Sequence, residues 1–304
     1  MQENDKILIE KLEEVNKEYL DSGYYELGKY VKYLMNLFKQ KRFIKLFQLF
    51  ILHLKNKKVE KNINQIPKVN NNNNYKIHSN NEYKIAIYTC ITGNYDEVEE
   101  PILLEEGCDY FLFTNNSKIK SKNWKIMNIP EKINEIQDNA KINRYIKMHP
   151  KELFKEYDYA IYIDGNIKII SVISSFINKI NQKTGLAIHR HCANNCIFDE
   201  IKTCRAYGKG NYKKMKKQAK RYRKSGFPPN YGMLECNVLV SDLNNNKSEK
   251  IFNEWWNEYL ESESMRDQIA LPYVLWKNKI KIKDIGNLGN NINKNYLLKI
   301  NSHI

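Results

Sequence analysis

Acidic side chains are the scarce class in this chain: 35 Asp and Glu stand against 50 Lys and Arg, a formal net charge of +15 over 304 residues. A deficit of that size favours an anionic partner, and nucleic acid, an anionic membrane and a phosphorylated substrate all qualify. Cysteine is also sparse. Six residues, Cys90, Cys108, Cys192, Cys196, Cys204 and Cys236, are too few in a chain this long for a disulfide scaffold. His189, His191, Cys192, Cys196 and Cys204 lie close enough in sequence to suggest zinc, but no paired C-x₂-C modules accompany them, so ordinary packing is the expectation. No long apolar run occurs. The most apolar patch, Leu46 to Leu54, is interrupted by Gln48 and His53 and is too short to span a bilayer. The mixed-charge opening Met1-Gln-Glu-Asn-Asp-Lys leads into no apolar core of the kind a secretory signal needs. A soluble, cytoplasmic protein is therefore expected. No internal repeat is visible.

What is present divides the chain into three. Residues 1–60 read as helical, with Leu8, Leu12, Val15 and Tyr19, and later Phe43, Phe47, Phe50 and Leu54, at the spacing of one helix face. Ser22-Gly23 marks a turn before a second helix around Tyr24 to Phe38. Lysines and an arginine flank the third helix, so residues 39–58 are a candidate for peripheral contact with the inner face of a membrane; packing on the main domain is the simpler alternative. Residues 61–82 are Asn- and Lys-rich and read as a linker. Residues 83–304 alternate apolar strands with helical patterns, the signature of an α/β domain built on a mixed, mainly parallel sheet flanked by helices. Strands are expected at Ile85–Cys90, Tyr110–Thr114, Trp124–Asn128, Tyr159–Ile163, Gly185–His189, Glu235–Val240 and Ile280–Ile285. Helices are expected over Asn134–Met148, Ser174–Asn181, Lys247–Leu260 and Asp267–Trp276.

The segment Tyr159-Ala-Ile-Tyr-Ile-Asp164-Gly165-Asn166 carries the most chemistry, because a buried strand would deliver Asp164 to the carboxyl edge of a parallel sheet, where such folds bind ligands. In an extended backbone Asp164 and Asn166 point the same way, and oxygen ligands suit Mg²⁺ or Mn²⁺. Gly165 would let a diphosphate approach the main chain. Asp-Gly-Asn is equally good turn chemistry. The loop after the first strand, Thr92-Gly93-Asn94-Tyr95, lacks G-x-G-x-x-G and a Walker lysine, which disfavours an NAD-type or P-loop site, but a nucleotide could stack on Tyr95 and reach loop amides. Arg144 and Lys147, three apart on one helix, could neutralise a diphosphate or be solvated surface charge. Asp267 and Gln268 open a late helix, and Glu235 and Asn237 lie at the start of a strand; each could serve chemistry or be a hydrogen-bonded structural group. Lys209 to Lys224 is strongly basic with interleaved tyrosines, a candidate surface for polyanions or a solvated insertion.

Taken in order, Lys84-Ile-Ala-Ile-Tyr-Thr-Cys-Ile-Thr-Gly-Asn-Tyr-Asp96, the Arg144/Lys147 helix, Tyr162-Ile-Asp-Gly-Asn-Ile167, Cys196-Ile-Phe-Asp-Glu200 and Arg266-Asp-Gln268 resemble a family of glycosyltransferase-like domains found in bacterial polysaccharide loci and in plant mucilage and turgor-related proteins. The resemblance implies a GT-A-like fold, a nucleotide-diphosphate sugar donor, a glycan or lipid-linked acceptor, and a divalent cation (Mn²⁺ or Mg²⁺) held by an Asp-x-Asp-type element. Asp164 matches the first acid of that element and Asn166 replaces the second. Thr92, Gly93 and Asn94 would lie near the nucleotide, Arg144 and Lys147 would face its phosphates, and Asp267 would contact the acceptor or serve as base; beside the resemblance, Tyr95 and Gln268 are candidates for holding the donor and Glu235 for the base. Asp199 and Glu200 match a motif with no assigned role. The alternatives are a non-catalytic glycan- or nucleotide-binding relative and, less favoured, an RNA-binding protein; nucleic acid is not the expected partner.

Overall fold

A computed structural model describes residues 3–21, 75–77, 83–133 and 135–301. The helices expected around Tyr24–Phe38 and Phe43–Leu54, and the basic segment 39–58, lie outside the described residues. So does most of the Asn-rich stretch, although Tyr75–Ile77 within it is a strand.

Helix α1 spans Glu3–Asp21. The strands are β1 (Tyr75–Ile77), β2 (Ile85–Cys90), β3 (Leu103–Glu105), β4 (Cys108–Thr114), β5 (Lys125–Asn128), β6 (Tyr159–Ile163), β7 (Ile167–Ile169), β8 (Leu186–Arg190), β9 (Leu234–Asp242), β10 (Gly286–Asn287) and β11 (Leu298–Ile300). The longer helices after the first strands are α2 (Asn139–Met148), α3 (Ile197–Ala206), α4 (Tyr212–Lys224), α5 (Asn246–Ser262) and α6 (Asp267–Lys277). Seven strands form the central sheet in the order β10-β8-β9-β6-β2-β4-β5. β2 pairs parallel with β4 and β6, and β4 with β5, whereas β9 runs antiparallel between β6 and β8.

β2 is buried along its whole length, as a strand covered on both faces must be. Its side chains alternate between two cores. Ala86 and Tyr88 join Tyr162, Phe111 and Phe113 beneath Ile142 and Ile146 of α2, Trp255 of α5 and Leu271 of α6. Ile85 and Ile87 face the other way, onto Leu112, Ile161, Val240, Phe176 and Leu298. A third cluster joins α3 and α4 to the rest through Met215, Tyr222, Phe227 and Tyr273. α1 packs on the main domain through Ile9 and Leu12 against Leu103 and Ile170, and the Asn16 amide donates to the Leu298 carbonyl.

Three expected elements differ. α2 begins at Asn139 rather than at 134, because the Asp138 carboxylate accepts from the Ala140 and Lys141 amides and caps the helix there. Ser174–Lys179 is a 3₁₀ segment, its entry pinned by the buried Glu105 carboxylate accepting from the Ile173 and Ser174 amides. Ile280–Ile285 is not a strand: Ile282–Asp284 forms a single turn closed by Asp284 accepting from the Lys281 amide, and pairing starts only at Gly286.

Candidate active site

The carboxyl ends of β2, β4, β6 and β8 open on one edge of the sheet, and β9, being antiparallel, brings its first residues to the same edge. The loop leaving β2 is fixed by asparagines. Gly93, at φ 62°, donates its amide to Asn115 Oδ1 at 2.8 Å, and Asn116 Nδ2 reaches the Gly93 carbonyl and Asn94 Oδ1, both at 2.9 Å. Thr92 Oγ1 donates to the Asn139 carbonyl at the start of α2. A Cβ on Gly93 would fall 2.9 Å from Asn139 Nδ2, so glycine is needed for both conformation and space. Tyr95 follows this loop with 64% of its surface exposed. Asn115, Asn116 and Asn139 were missed in the sequence; only their position after expected strands and before a helix could have signalled them.

The end of β6 is a turn. The Ile167 amide donates to the Asp164 carbonyl at 3.0 Å, so the backbone between Asp164 and Asn166 is not extended and the inference that it aims both side chains one way fails. Asn166 Nδ2 donates to the Asn301 carbonyl at 2.8 Å and ties the turn to the C-terminal strand. Gly165 does not present a bare face to a ligand: a Cβ there would meet Ile91 Cγ1 at 2.8 Å and lie 3.3 Å from Asp96 Oδ2. Asp164 itself keeps an opening, its side chain 31% exposed.

Behind Asp164 lies a buried charge cluster. Lys147 Nζ donates to Asp267 Oδ2 at 2.7 Å and stands 4.0 Å from Asp164 Oδ1, and Arg144 Nε lies 3.3 Å from the same Asp267 oxygen. Lys147 is 2% exposed and is therefore not a group that faces phosphates directly; Arg144 is one quarter exposed. Burial by itself would keep Asp267 protonated, but the two cations outweigh it and hold the carboxyl well below the usual carboxylate range. A carboxylate so compensated is a poor proton acceptor. Its main-chain carbonyl also accepts from Trp255 Nε1 at 2.8 Å.

Glu235 is the second residue of β9 and lies two residues before Asn237, whose carbonyl accepts the Asp164 amide at 2.9 Å. His189 pairs with Glu235 while Ile188 pairs with Leu239, so Cys236–Val238 bulge relative to β8. Gln268 Nε2 donates to Glu235 Oε2 at 3.2 Å, and Arg266 Nη2 holds Gln268 Oε1 at 3.1 Å. His191 Nε2 lies 3.4 Å from Glu200 Oε2 and 3.5 Å from Glu235 Oε1. Glu200, from the motif without an assigned role, thus braces His191 and, at 3.7 Å, Arg266. Gln268 therefore belongs to the Glu235 network.

His191, Cys192 and Glu235 bring ligand-type atoms within 4.8 Å of one another. However, His191 Nδ1 accepts from the Ala193 and Asn194 amides, which leaves the ring proton on Nε2 between the carboxylates. A metal on Nε2 would displace that proton and leave the ring without one. The cluster is a hydrogen-bonded support for Glu235. At the β6 turn the oxygens are different in kind: the Asp164 carboxylate is partly exposed, and Asn237 Oδ1 is a buried oxygen with no hydrogen-bond partner. Hard oxygen donors of this kind fit Mg²⁺ or Mn²⁺.

Residues 55–303 match the family described as TOD1/MUCI70, glycosyltransferase-like domain. The chain belongs to that family. Among solved structures, the apo form of the bifunctional glycosyltransferase WbbM aligns with a TM-score of 0.41 at 9% identity, covering 64% of this chain and 38% of that one. Short segments also match curated GTPases: the Ras-related protein RABG3b of Arabidopsis thaliana is 44% identical over 57 residues, 19% of this chain and 28% of that protein. The Ypt/Rab-type GTPase avaA of Emericella nidulans is 39% identical over 54 residues, 18% of this chain and 26% of that protein. The chain thus spans only about a quarter of the length of these curated relatives. Among the described residues no helix is long and apolar enough to cross a membrane.

Proposed function

We propose that this glycosyltransferase-like domain transfers a sugar from a nucleotide-diphosphate donor to a hydroxyl of a glycan or lipid-linked acceptor. The observation that carries the reading is the convergence, at one sheet edge, of the partly open Asp164, the Arg144/Lys147 pair behind it and the braced carboxylate of Glu235. The nucleotide would lie along Thr92–Asn94 and stack on Tyr95. Arg144 would contact the diphosphate, with Lys147 and Asp267 fixing its position, a preorganised arrangement suited to charge developing on a leaving group. Glu235 is the better base, because Asp267 is neutralised by its cations. As the acceptor oxygen bonds to the anomeric carbon and the bond to the diphosphate oxygen breaks, the hydroxyl proton passes to Glu235. Asp164, with the amide oxygens of Asn166 and Asn237, would hold Mn²⁺ or Mg²⁺. Such a cation supplies positive charge to the departing diphosphate.

A screen of nucleotide-sugar donors with Mn²⁺, read as nucleoside diphosphate released, tests this. Turnover of one donor, reduced at least tenfold in Asp164→Ala, supports it; no turnover of any donor contradicts it. The capture of the Asn166 amide by the Asn301 carbonyl favours a second reading, a binder that holds a nucleotide diphosphate without releasing sugar. Nucleotide binding with no sugar release across the same screen would select it.

A further inference from the structure

We propose that the exposed face of α4 is a docking surface for an anionic phospholipid bilayer. The helix is strongly two-sided. Met215, Gln218, Ala219 and Tyr222 are buried, whereas Lys213, Lys216, Lys217, Lys220, Arg223 and Lys224 are exposed. At 3.6 residues per turn the six cations fall within roughly a third of the helix circumference. The helix's other two cations are those that meet acids: Lys214 pairs with Glu263, and Arg221 with Glu258 and Glu261. Among the described residues none of the six forms a salt bridge, so their charge is directed outward.

The surroundings of this face select its partner. A nucleic-acid surface interleaves cations with aromatic rings that bases can stack on. Here the interleaved tyrosines are withheld: Tyr222 is buried and stacked on Tyr273 at 3.7 Å, and Tyr212 is covered by the Arg205 guanidinium at 4.7 Å. Nor does the face offer the directed hydrogen-bonding groups that read a sugar polymer; it is a row of five lysines with Arg223, whose guanidinium lies over the Phe198 ring at 4.2 Å. A lipid surface, with diffuse negative charge and no fixed geometry, suits such a row. Apolar residues stand where the helix begins. The Asn211 amide donates to the Ser264 carbonyl at 3.1 Å, which places Met265, 40% exposed, beside the helix start, and Tyr207, 37% exposed, precedes it in the chain. An aromatic and a thioether rimmed by lysines are the groups that enter a headgroup layer.

The surface adjoins the candidate active site. A Cβ on Gly210 would touch Arg266 Cγ at 2.7 Å, and Arg266 leads through Gln268 to Glu235. A bilayer on α4 would lie next to the acceptor side of the cleft, where a lipid-linked acceptor would present its sugar.

Co-sedimentation of the full chain with phosphatidylcholine vesicles, with and without phosphatidylglycerol, tests the proposal. It should bind only the anionic vesicles, with affinity falling steeply as salt rises. Each lysine near an anionic surface contributes roughly fivefold, so combining Lys213→Gln, Lys216→Gln, Lys217→Gln and Lys220→Gln should lower binding by on the order of a hundredfold or more. Arginine at the same four positions should retain it, and an unchanged circular dichroism spectrum would show that the glutamine variant is folded. Equal binding of the folded glutamine variant and the wild type would overturn the proposal, and so would indifference to phosphatidylglycerol. Retention of a single-stranded oligonucleotide in preference to anionic vesicles at equal salt would replace it with a nucleic-acid surface.

Discussion

At the scale of single residues, Asp267 and His189 illustrate opposite ways of burying a titratable group. Asp267 stays ionised because Lys147 and Arg144 compensate it. Its folded-state pKa is depressed, so its stabilisation is present above the ordinary carboxylate range and lost only as pH falls through its own low value. Asp267→Asn removes the carboxylate that pairs with the buried Lys147 and the partly exposed Arg144 and should cost about 3–5 kcal/mol. Chemical denaturation should show the same loss at every pH between about 5 and 8, above the ordinary carboxylate range. His189 is instead kept neutral: burial lowers its pKa from 6.5 to about 4, and Asn295 Nδ2 stands 2.8 Å from its Nε2. Between those values the unfolded chain takes up the proton and the folded one does not. The contribution of His189 to stability should therefore be constant above pH 6.5 and fall by roughly 3 kcal/mol between pH 6.5 and 4. His189→Gln should flatten that slope; an unchanged slope would mean that other groups set it.

At the scale of elements, the turn after β6 depends on the absence of a side chain at position 165. Gly165→Ala would drive a methyl against Ile91 at 2.8 Å and should cost about 1–3 kcal/mol in thermal or chemical denaturation while leaving Asp164 in place. This is where sequence reading was strongest and also where it erred. β2 and β6 were legible to the residue because short β-branched runs bounded by polar loops have one good solution. β7, β11 and the 3₁₀ segment after Ile173 were not, because their pairing and capping come from distant groups: Ile300 opposite Ile167, and Glu105 beneath Ser174. Asp164 was singled out from a strand ending in an acid. Its true neighbours, Lys147, Asp267 and the bulged Asn237, come from three other elements, and no local spacing encodes them. The burial of Lys147 was illegible for the same reason, since a helical lysine is usually solvated.

At the scale of the whole molecule, the amino-terminal helix and the carboxyl-terminal strand close on the same side of the sheet, where α1 packs through Ile9 and Leu12 and β11 pairs with β7 next to the Asp164 turn. Leu12→Ala should lower global stability by about 2 kcal/mol, at the low end for a buried leucine because α1 lies at the periphery. A mild effect on nucleotide binding is expected with it, through Asn301 and Asn166; a stability change below about 0.5 kcal/mol would show that α1 is not part of the cooperative unit. The central proposal concerns charge rather than packing: this edge of the sheet would receive a diphosphate, with Arg144 as the cation that contacts it. Calorimetric titration of the wild type and Arg144→Gln with a nucleoside diphosphate and with the matching nucleoside measures this directly. The diphosphate should bind the wild type more tightly than the nucleoside does, and Arg144→Gln should weaken the diphosphate by roughly tenfold to a hundredfold while leaving the nucleoside unchanged. Equal binding of the two ligands by the wild type, or a diphosphate affinity unaffected by the substitution, would contradict the account.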